Sequence, residues 1–319
     1  MAEPTHSEPP ADPERLALAW RIAPASLAFM LDIRAISRRD RDLIDSLLFA
    51  TIASSNVAPL IRDPGLQLTY AGLDSPVPDE ARRPISINAV AQSTRVPFET
   101  ARRRIRAMAR DGLVELTERG VIIPQSILAR QDFIDGMILR HVRVGRFYRE
   151  LLELRALGPP GDAMPAVNEA PVLVTNRQAW AYILRMVDEM IALTGDPMGG
   201  LILMEMLQLN IQGMDPAELA AWAETPHTLG RPARTAAFAA ALGLSPETTR
   251  RYVMSLGDAG FCVRSKAGAR AILPPDKRPE LERMALDNLA NVQRMFARLG
   301  QLGVLAAFDG EAPAAAATA

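Results

Sequence analysis

The chain has 319 residues, with 36 basic against 37 acidic side chains, 49% hydrophobic and 23% charged residues, a globular composition long enough for two domains. Near-zero net charge excludes a uniformly basic coating protein, and no uninterrupted apolar run reaches the roughly 18 residues that a membrane span needs. The single cysteine, Cys262, can form no disulfide within the chain, and the acidic, Pro-rich start lacks a signal-type apolar segment, so a reducing, cytoplasmic setting is expected.

In chain order, residues 1–22 are expected to be a largely disordered arm, because MAEPTHSEPPADPER carries no apolar periodicity and cannot offset its ordering entropy. A first domain over 23–158 is expected to contain helices at 40–57, 86–93 and 97–111, then the β-prone runs LVELT and GVIIP, then a long amphipathic helix at 131–156. The Pro/Gly-rich stretch GPPGDAMPAVNEAP, residues 158–171, marks a linker assigned to 159–175. A second domain over 176–306 repeats the order, with helices at 199–214, 234–242 and 245–259, the runs FCVRS and ARAILP, and a long helix at 278–302. The tail 307–319 is Ala- and Pro-rich and is expected to be disordered. The fold class is thus mainly α with small β-wings.

The two domains read as copies. Residues 83–114 align without a gap on 231–262, and nine of the 32 positions are identical, against about three expected in so biased a composition. The identities include Glu99/Glu247, Thr100/Thr248, Arg102/Arg250, Arg103/Arg251 and Gly112/Gly260. The long helices share a Val-x-Arg segment at the same offset, Val144-Gly145-Arg146 and Val292-Gln293-Arg294. An internal repeat is expected to extend through both halves.

A wheel at 100° per residue buries Ala101, Ile105 and Met108 in the first copy and Thr249, Val253 and Leu256 in the second. The opposite face of the first helix then carries Glu99, Arg103, Arg106 and Arg110, with Thr100 and Arg102 at its edges. That of the second carries Glu247 and Arg251, with Thr248 and Arg250 at its edges. Arg can bond bidentately to guanine, Thr can meet a thymine methyl, and Glu can accept from cytosine, so such a face suits the major groove. Residues 81–124 hold nine arginines against four acids, and 231–274 hold seven basic residues against two acids. Both units are therefore +5 in a near-neutral chain, as phosphate binding requires. In the first copy the charge sits on the helix; in the second it sits more on the wing, through Lys266 and Arg270. Arg119 on the first wing is a further phosphate candidate.

The local turn signals differ. Ser245-Pro246-Glu247 is a favourable helix start and Gly243 suits the turn before it. The first copy has Arg95 at the glycine position, so either its turn differs or Arg95 has a use there, such as a phosphate contact.

This order of helix, turn, helix and hairpin, carried by VPFETARRRIRAMARDGLVEL and LSPETTRRYVMSLGDAGFCV, resembles the winged helix-turn-helix unit of bacterial transcription regulators of the MarR and GntR type. The resemblance implies two tandem DNA-binding units on non-identical half-sites of double-stranded DNA, a location at the bacterial nucleoid, and either pairing of the long helices into a pseudo-dimer or a homodimer of whole chains. Phe98, Arg104 and Arg106 stand where the second copy has Pro246, Tyr252 and Met254, which is the basis for expecting unlike half-sites. Two rivals remain: a winged-helix protein-interaction module of a chromosome-condensation complex, and a plasmid-type replication initiator. Histidines at 6, 141 and 227 lack partners at ligand spacing, and no nucleophile, paired-carboxylate or phosphate-loop pattern is present, so neither a metal, nor a cofactor, nor an enzymatic activity is expected. Cys262 aligns with Val114 and is expected to pack. The sequence names no effector.

Overall fold

A computed structural model of the chain describes residues 12–38, 42–158, 170–224, 230–272 and 274–309. It is mainly helical, with two separate two-stranded antiparallel sheets. The first half contributes α1 (Pro13–Arg38), α2 (Leu43–Val57), α3 (Pro64–Thr69), α4 (Ile87–Thr94), α5 (Phe98–Arg110), β1 (Glu115–Thr117), β2 (Gly120–Ile122), α6 (Gln125–Leu128) and α7 (Gln131–Glu153). The second contributes α8 (Val172–Thr194), α9 (Pro197–Ile211), α10 (Pro216–Glu224), α11 (Thr235–Leu242), α12 (Pro246–Asp258), β3 (Cys262–Ser265), β4 (Gly268–Ala271), α13 (Arg278–Gln301) and α14 (Leu305–Asp309).

Helix starts follow from local chemistry. Asp42 caps α2 through Ile44 N at 2.7 Å, Ser86 caps α4 through Ala89 N at 3.1 Å, and Asp196 caps α9 through Met198 N at 2.8 Å. Ser245 accepts from Thr248 N at 3.0 Å with Pro246 at the first helical position, the expected start of α12.

Four long helices form the centre. α1 and α8 each pack between α7 and α13. Phe29 of α1 stacks on Phe147 of α7 with centroids 4.4 Å apart. A buried polar chain crosses the centre: Tyr182 Oη donates to Asn288 Oδ1 at 2.8 Å, and Asn288 Nδ2 donates to Ser26 Oγ at 3.0 Å. Val144 and Val292 of the matching segments are both fully buried. Between α7 and α13, one alternative for the pairing of the long helices, Phe147 and Tyr148 meet Phe296 at 5.8 and 5.4 Å, and Gln293 Nε2 donates to Ala156 O just past the end of α7. The main partners of both helices are α1 and α8.

Three boundary expectations are corrected. Residues 13–22 belong to α1, with Ala19 and Ile22 fully buried. Positions 1–11 of the expected arm lie outside the described residues, as do 159–169 of the expected linker and 310–319 of the expected tail. Position 172, within that linker, already starts α8, and 307–309 of the tail lie in α14. Phe308 is buried between His141 and Tyr148. It lies so close to α7 that a Cβ added to Gly145 would come within 2.8 Å of its ring. α1 also carries more apolar content than a search for an uncharged run registers. By length and composition Pro13–Ser37 passes as a membrane-crossing helix, since an 18-residue window within it reaches a mean hydropathy of 1.5. In the fold, Ile22, Phe29 and Ile33 of that stretch are core residues.

Candidate nucleic-acid interface

The basic segments fold into two small units of the same construction. In the first, α4 ends on Arg95 in the left-handed region (φ 51°, ψ 25°); in the second, α11 ends on Gly243 there (φ 59°, ψ 40°). Val96 N then bonds back to Ala91 O at 3.2 Å, and Leu244 N to Ala239 O at 2.9 Å, the Schellman closure of a helix end. The same closure ends α5 and α12 at Gly112 and Gly260, with Leu113 N to Met108 O at 2.9 Å and Phe261 N to Leu256 O at 2.8 Å. Arg95 therefore adopts the glycine turn. Its guanidinium ion-pairs with Asp188 of α8 at 3.3 Å, so the structure gives it a carboxylate partner where a phosphate contact was one expectation.

One position that the sequence reading missed ties each unit together. Asn56 Nδ2 donates to Arg83 O and Val121 O, and its Oδ1 accepts from Ile123 N, at 2.9, 3.1 and 2.9 Å. Asn210 donates to Arg231 O and Ala269 O and accepts from Ala271 N, at 2.7, 3.2 and 2.8 Å. Each asparagine thus clips the hairpin to the end of α2 or α9. Residues before the two-helix segment add a third edge to each hairpin, through the bridges Ile85↔Val121 and Ala233↔Ala269. Gly120 is required at this junction: it has φ 137°, and a Cβ there would lie 2.5 Å from Ile85 O.

The burial of α5 and α12 follows the wheel. Ala101, Ile105 and Met108 are buried, as are Thr249, Val253 and Leu256. Glu99, Arg103, Arg106 and Arg110 are exposed and Thr100 and Arg102 half-exposed; together they line a shallow surface depression along α5. Arg102 is held by Glu99 at 2.6 Å. Arg103, Arg106 and Arg110 have no carboxylate partner among the described residues, so a stripe of uncompensated positive charge runs from Arg103 to Arg110, about 10 Å of helix.

On α12, Glu247, Arg250 and Arg251 are exposed and Thr248 is half-exposed. Arg250 repeats the first-half pair, bonding Glu247 at 2.8 Å and holding its carboxyl below the usual range. Arg251 lies over the Tyr252 ring at 5.3 Å. Met254 and Asp258 occupy the places of Arg106 and Arg110, so the stripe is not repeated. The second unit carries its charge on the hairpin, where Arg264 and Lys266 are exposed and Arg270 is half-exposed. On the first hairpin Arg119 is exposed, beside Glu115 and Glu118.

Two residues expected to distinguish the readout faces turn inward instead. Arg104 bonds Asp45 and Asp42 at 3.0 Å, which clamps α5 to the N-cap aspartate of α2. Tyr252 is half-buried, and burial together with the charge of Asp196, the N-cap of α9, raises its pKa. Of the three differing positions, Phe98/Pro246 and Arg106/Met254 remain outward. Cys262 packs as expected: it is buried, its thiol points to Val253 O at 3.5 Å, and burial pushes its pKa up.

Compared with known protein families, with curated proteins and with solved structures, the chain matches none.

Proposed function

We propose that this chain is a double-stranded DNA-binding protein made of two winged helix-turn-helix units repeated in tandem, and that it acts as a transcription regulator at the bacterial nucleoid. The observation that carries the reading is the stripe Arg103, Arg106 and Arg110, three exposed guanidiniums on one face of α5 that no carboxylate of the described residues neutralises. A structural helix surface in a near-neutral chain gains nothing from such a stripe, whereas a phosphate backbone supplies the missing charge. α5 lies along one groove and grips it with its own side chains. α12 offers Thr248, Arg250 and Arg251 to a second site, with phosphate contacts from Lys266 and Arg270 on its hairpin. The half-sites differ, because Arg106 faces one and Met254 the other.

Titrating a fluorescent duplex pool of random sequence at several salt concentrations tests the proposal. Log affinity is expected to fall linearly with log salt, and a variant with Arg102, Arg103, Arg250 and Arg251 all changed to Ala is expected to lose most of it. Salt-insensitive affinity, or an unchanged variant, contradicts the reading.

A further inference from the structure

Phe98 is the one exposed aromatic residue among those described; every other phenylalanine, tyrosine and tryptophan there is buried or half-buried. It opens α5 with 44% of its surface exposed, and it stands outside the hydrophobic cluster to which Ala101, Ile105 and Met108 of the same helix belong. Packing therefore does not account for it. Helix initiation does not account for it either. In the second unit Ser245 caps α12 and Pro246 fills the first helical position, a pair that favours a helix start, whereas Pro97 gives α5 no side-chain cap and Phe98 brings no fixed φ. One turn on, Arg102 lies on the same edge of α5. Its guanidinium is held by two hydrogen bonds to Glu99 Oε2, from Nε at 3.0 Å and from Nη2 at 2.6 Å. The phenyl ring thus stands at the leading end of the helix, beside a fixed guanidinium and ahead of the stripe of Arg103, Arg106 and Arg110.

We propose that Phe98 reads the 5-methyl group of a pyrimidine, thymine or 5-methylcytosine, in the major groove beneath the start of α5. The inference rests on the DNA-binding reading above. A helix in the major groove brings its N-terminal residues to the base edges. Among the groups that unmodified base pairs show there, the thymine methyl is the apolar one, and a phenyl ring meets it without a hydrogen bond. Phe98 is also the only exposed large apolar side chain on α5. Covering the methyl takes apolar surface of both partners out of water, so the ring that is exposed in the free chain becomes buried in the complex. Pro246, at the matching place in the second copy, is a smaller ring tied to its own backbone. The methyl dependence therefore belongs to the half-site of the first unit.

On the duplex that the whole chain enriches from a random pool, each thymine in turn is replaced by deoxyuridine, which removes the methyl group and nothing else, and affinity is read by fluorescence anisotropy. At one thymine the replacement is expected to weaken binding about fourfold, the worth of burying one methyl group. With a C·G pair at that place, 5-methylcytosine is expected to bind about fourfold more tightly than cytosine. The tighter of the T·A and 5-methylC·G duplexes identifies the source of the methyl. In Phe98→Ala both preferences are expected to disappear, the non-additivity that marks a direct contact, while the salt slope stays that of the wild type and shows that the chain still folds and binds. In Thr100→Ala, which removes the other methyl-bearing side chain of the first turn, both preferences persist. Binding of no duplex at all overturns the DNA reading and this inference with it. Salt-dependent binding in which no thymine responds to deoxyuridine, or a methyl preference that survives Phe98→Ala or is lost in Thr100→Ala instead, overturns this inference alone.

Discussion

The first unit encloses a hydrophobic cluster of its own, in which Leu48 and Ile52 of α2 meet Val90, Ile105, Val121 and Ile123. The second has no separate core. Phe238, Leu242, Val253 and Leu256 belong to the same continuous cluster as Phe29, Phe147, Tyr182 and Phe296 of the central helices. The difference lies in α2 and α9. Successive residues Leu201 to Met206 of α9 are all buried, because α1, α8, α11 and α12 pack around it. One side of α2 faces an open cavity between α2, α7 and α8 instead. The two units are built with the same turns and the same asparagine clips, yet one is fused to the scaffold and the other is set beside it. The unit with its own core carries the charged helix; the fused unit carries a near-neutral helix and a charged hairpin. Under the DNA-binding reading proposed above, α5 would supply most of the electrostatic grip and the second unit would fix position.

Changing Arg103, Arg106 and Arg110 together to Ala gives the largest expected effect: a loss of about a hundredfold or more in duplex affinity near physiological salt, and a salt slope shallower by about three. Changing Arg251 and Lys266 to Ala costs about tenfold or less. Fluorescence anisotropy on the same duplexes measures both, and equal losses would break the contrast between the units. The asparagine clips come next. Asn56→Ala and Asn210→Ala each leave buried backbone groups unpaired and cost about 2–3 kcal/mol. Their consequences should diverge: by hydrogen exchange, Asn56→Ala opens the first unit alone, while Asn210→Ala destabilises the common core. A uniform loss of protection in both variants would show that the first unit is not a separate cooperative element.

Smaller effects separate the two turns. Gly243→Ala forces a side chain into the left-handed region and costs about 1 kcal/mol. Arg95→Gly relieves that strain but loses the exposed Asp188 pair, itself worth at most about 1 kcal/mol, so the net change in thermal midpoint is small. A large destabilisation by Arg95→Gly would mean that the Asp188 bridge anchors the first unit to α8. The smallest effect concerns Glu205 of α9, where the Asn56/Asn210 correspondence places Thr51 in α2. Burial raises the Glu205 pKa, with Arg34 opposing. The folded state thus keeps its proton to higher pH than the unfolded chain does, and stability falls as pH rises out of the ordinary carboxylate range. Glu205→Gln is expected to raise the melting temperature at neutral pH and to flatten its dependence on pH upward from the carboxylate range. An unchanged pH profile would show that Arg34 compensates the charge fully.

Much of each unit was legible in the sequence because its signals are local. The turn at Gly243, the Ser245-Pro246 start, the Gly112 and Gly260 stops and the period of Ala101, Ile105 and Met108 place α4, α5, α11 and α12 within about a residue or two. Two of the four central helices, α1 and α8, were not read from the sequence at all; for α1 the reasons are visible. Pro13 and Pro24 weaken the helix signal, and packing against α7, α9, α10 and α13 requires apolar residues on several sides, which erases the period. The roles of Asn56 and Asn210 could not be read from residue type, since a polar residue at a helix end gives no sign of the hairpin folding over it. Nor could the inward turn of Arg104 and Tyr252. The wheel places them at an edge, and only the packing of α2 against α5 and of α9 against α12 decides their direction.

The central claim is that both units meet one duplex, each with its own groove. In a Cys262→Ala background, Arg110→Cys and Lys266→Cys offer single attachment points for a tethered DNA-cleaving iron chelate, one on α5 and one at the tip of the second hairpin. On a duplex enriched from a random pool, the two conjugates are predicted to cut at two distinct clusters about one helical turn or more apart. Absence of localised cleavage from the Arg110→Cys conjugate, while the unconjugated protein still retards the duplex, would contradict the account.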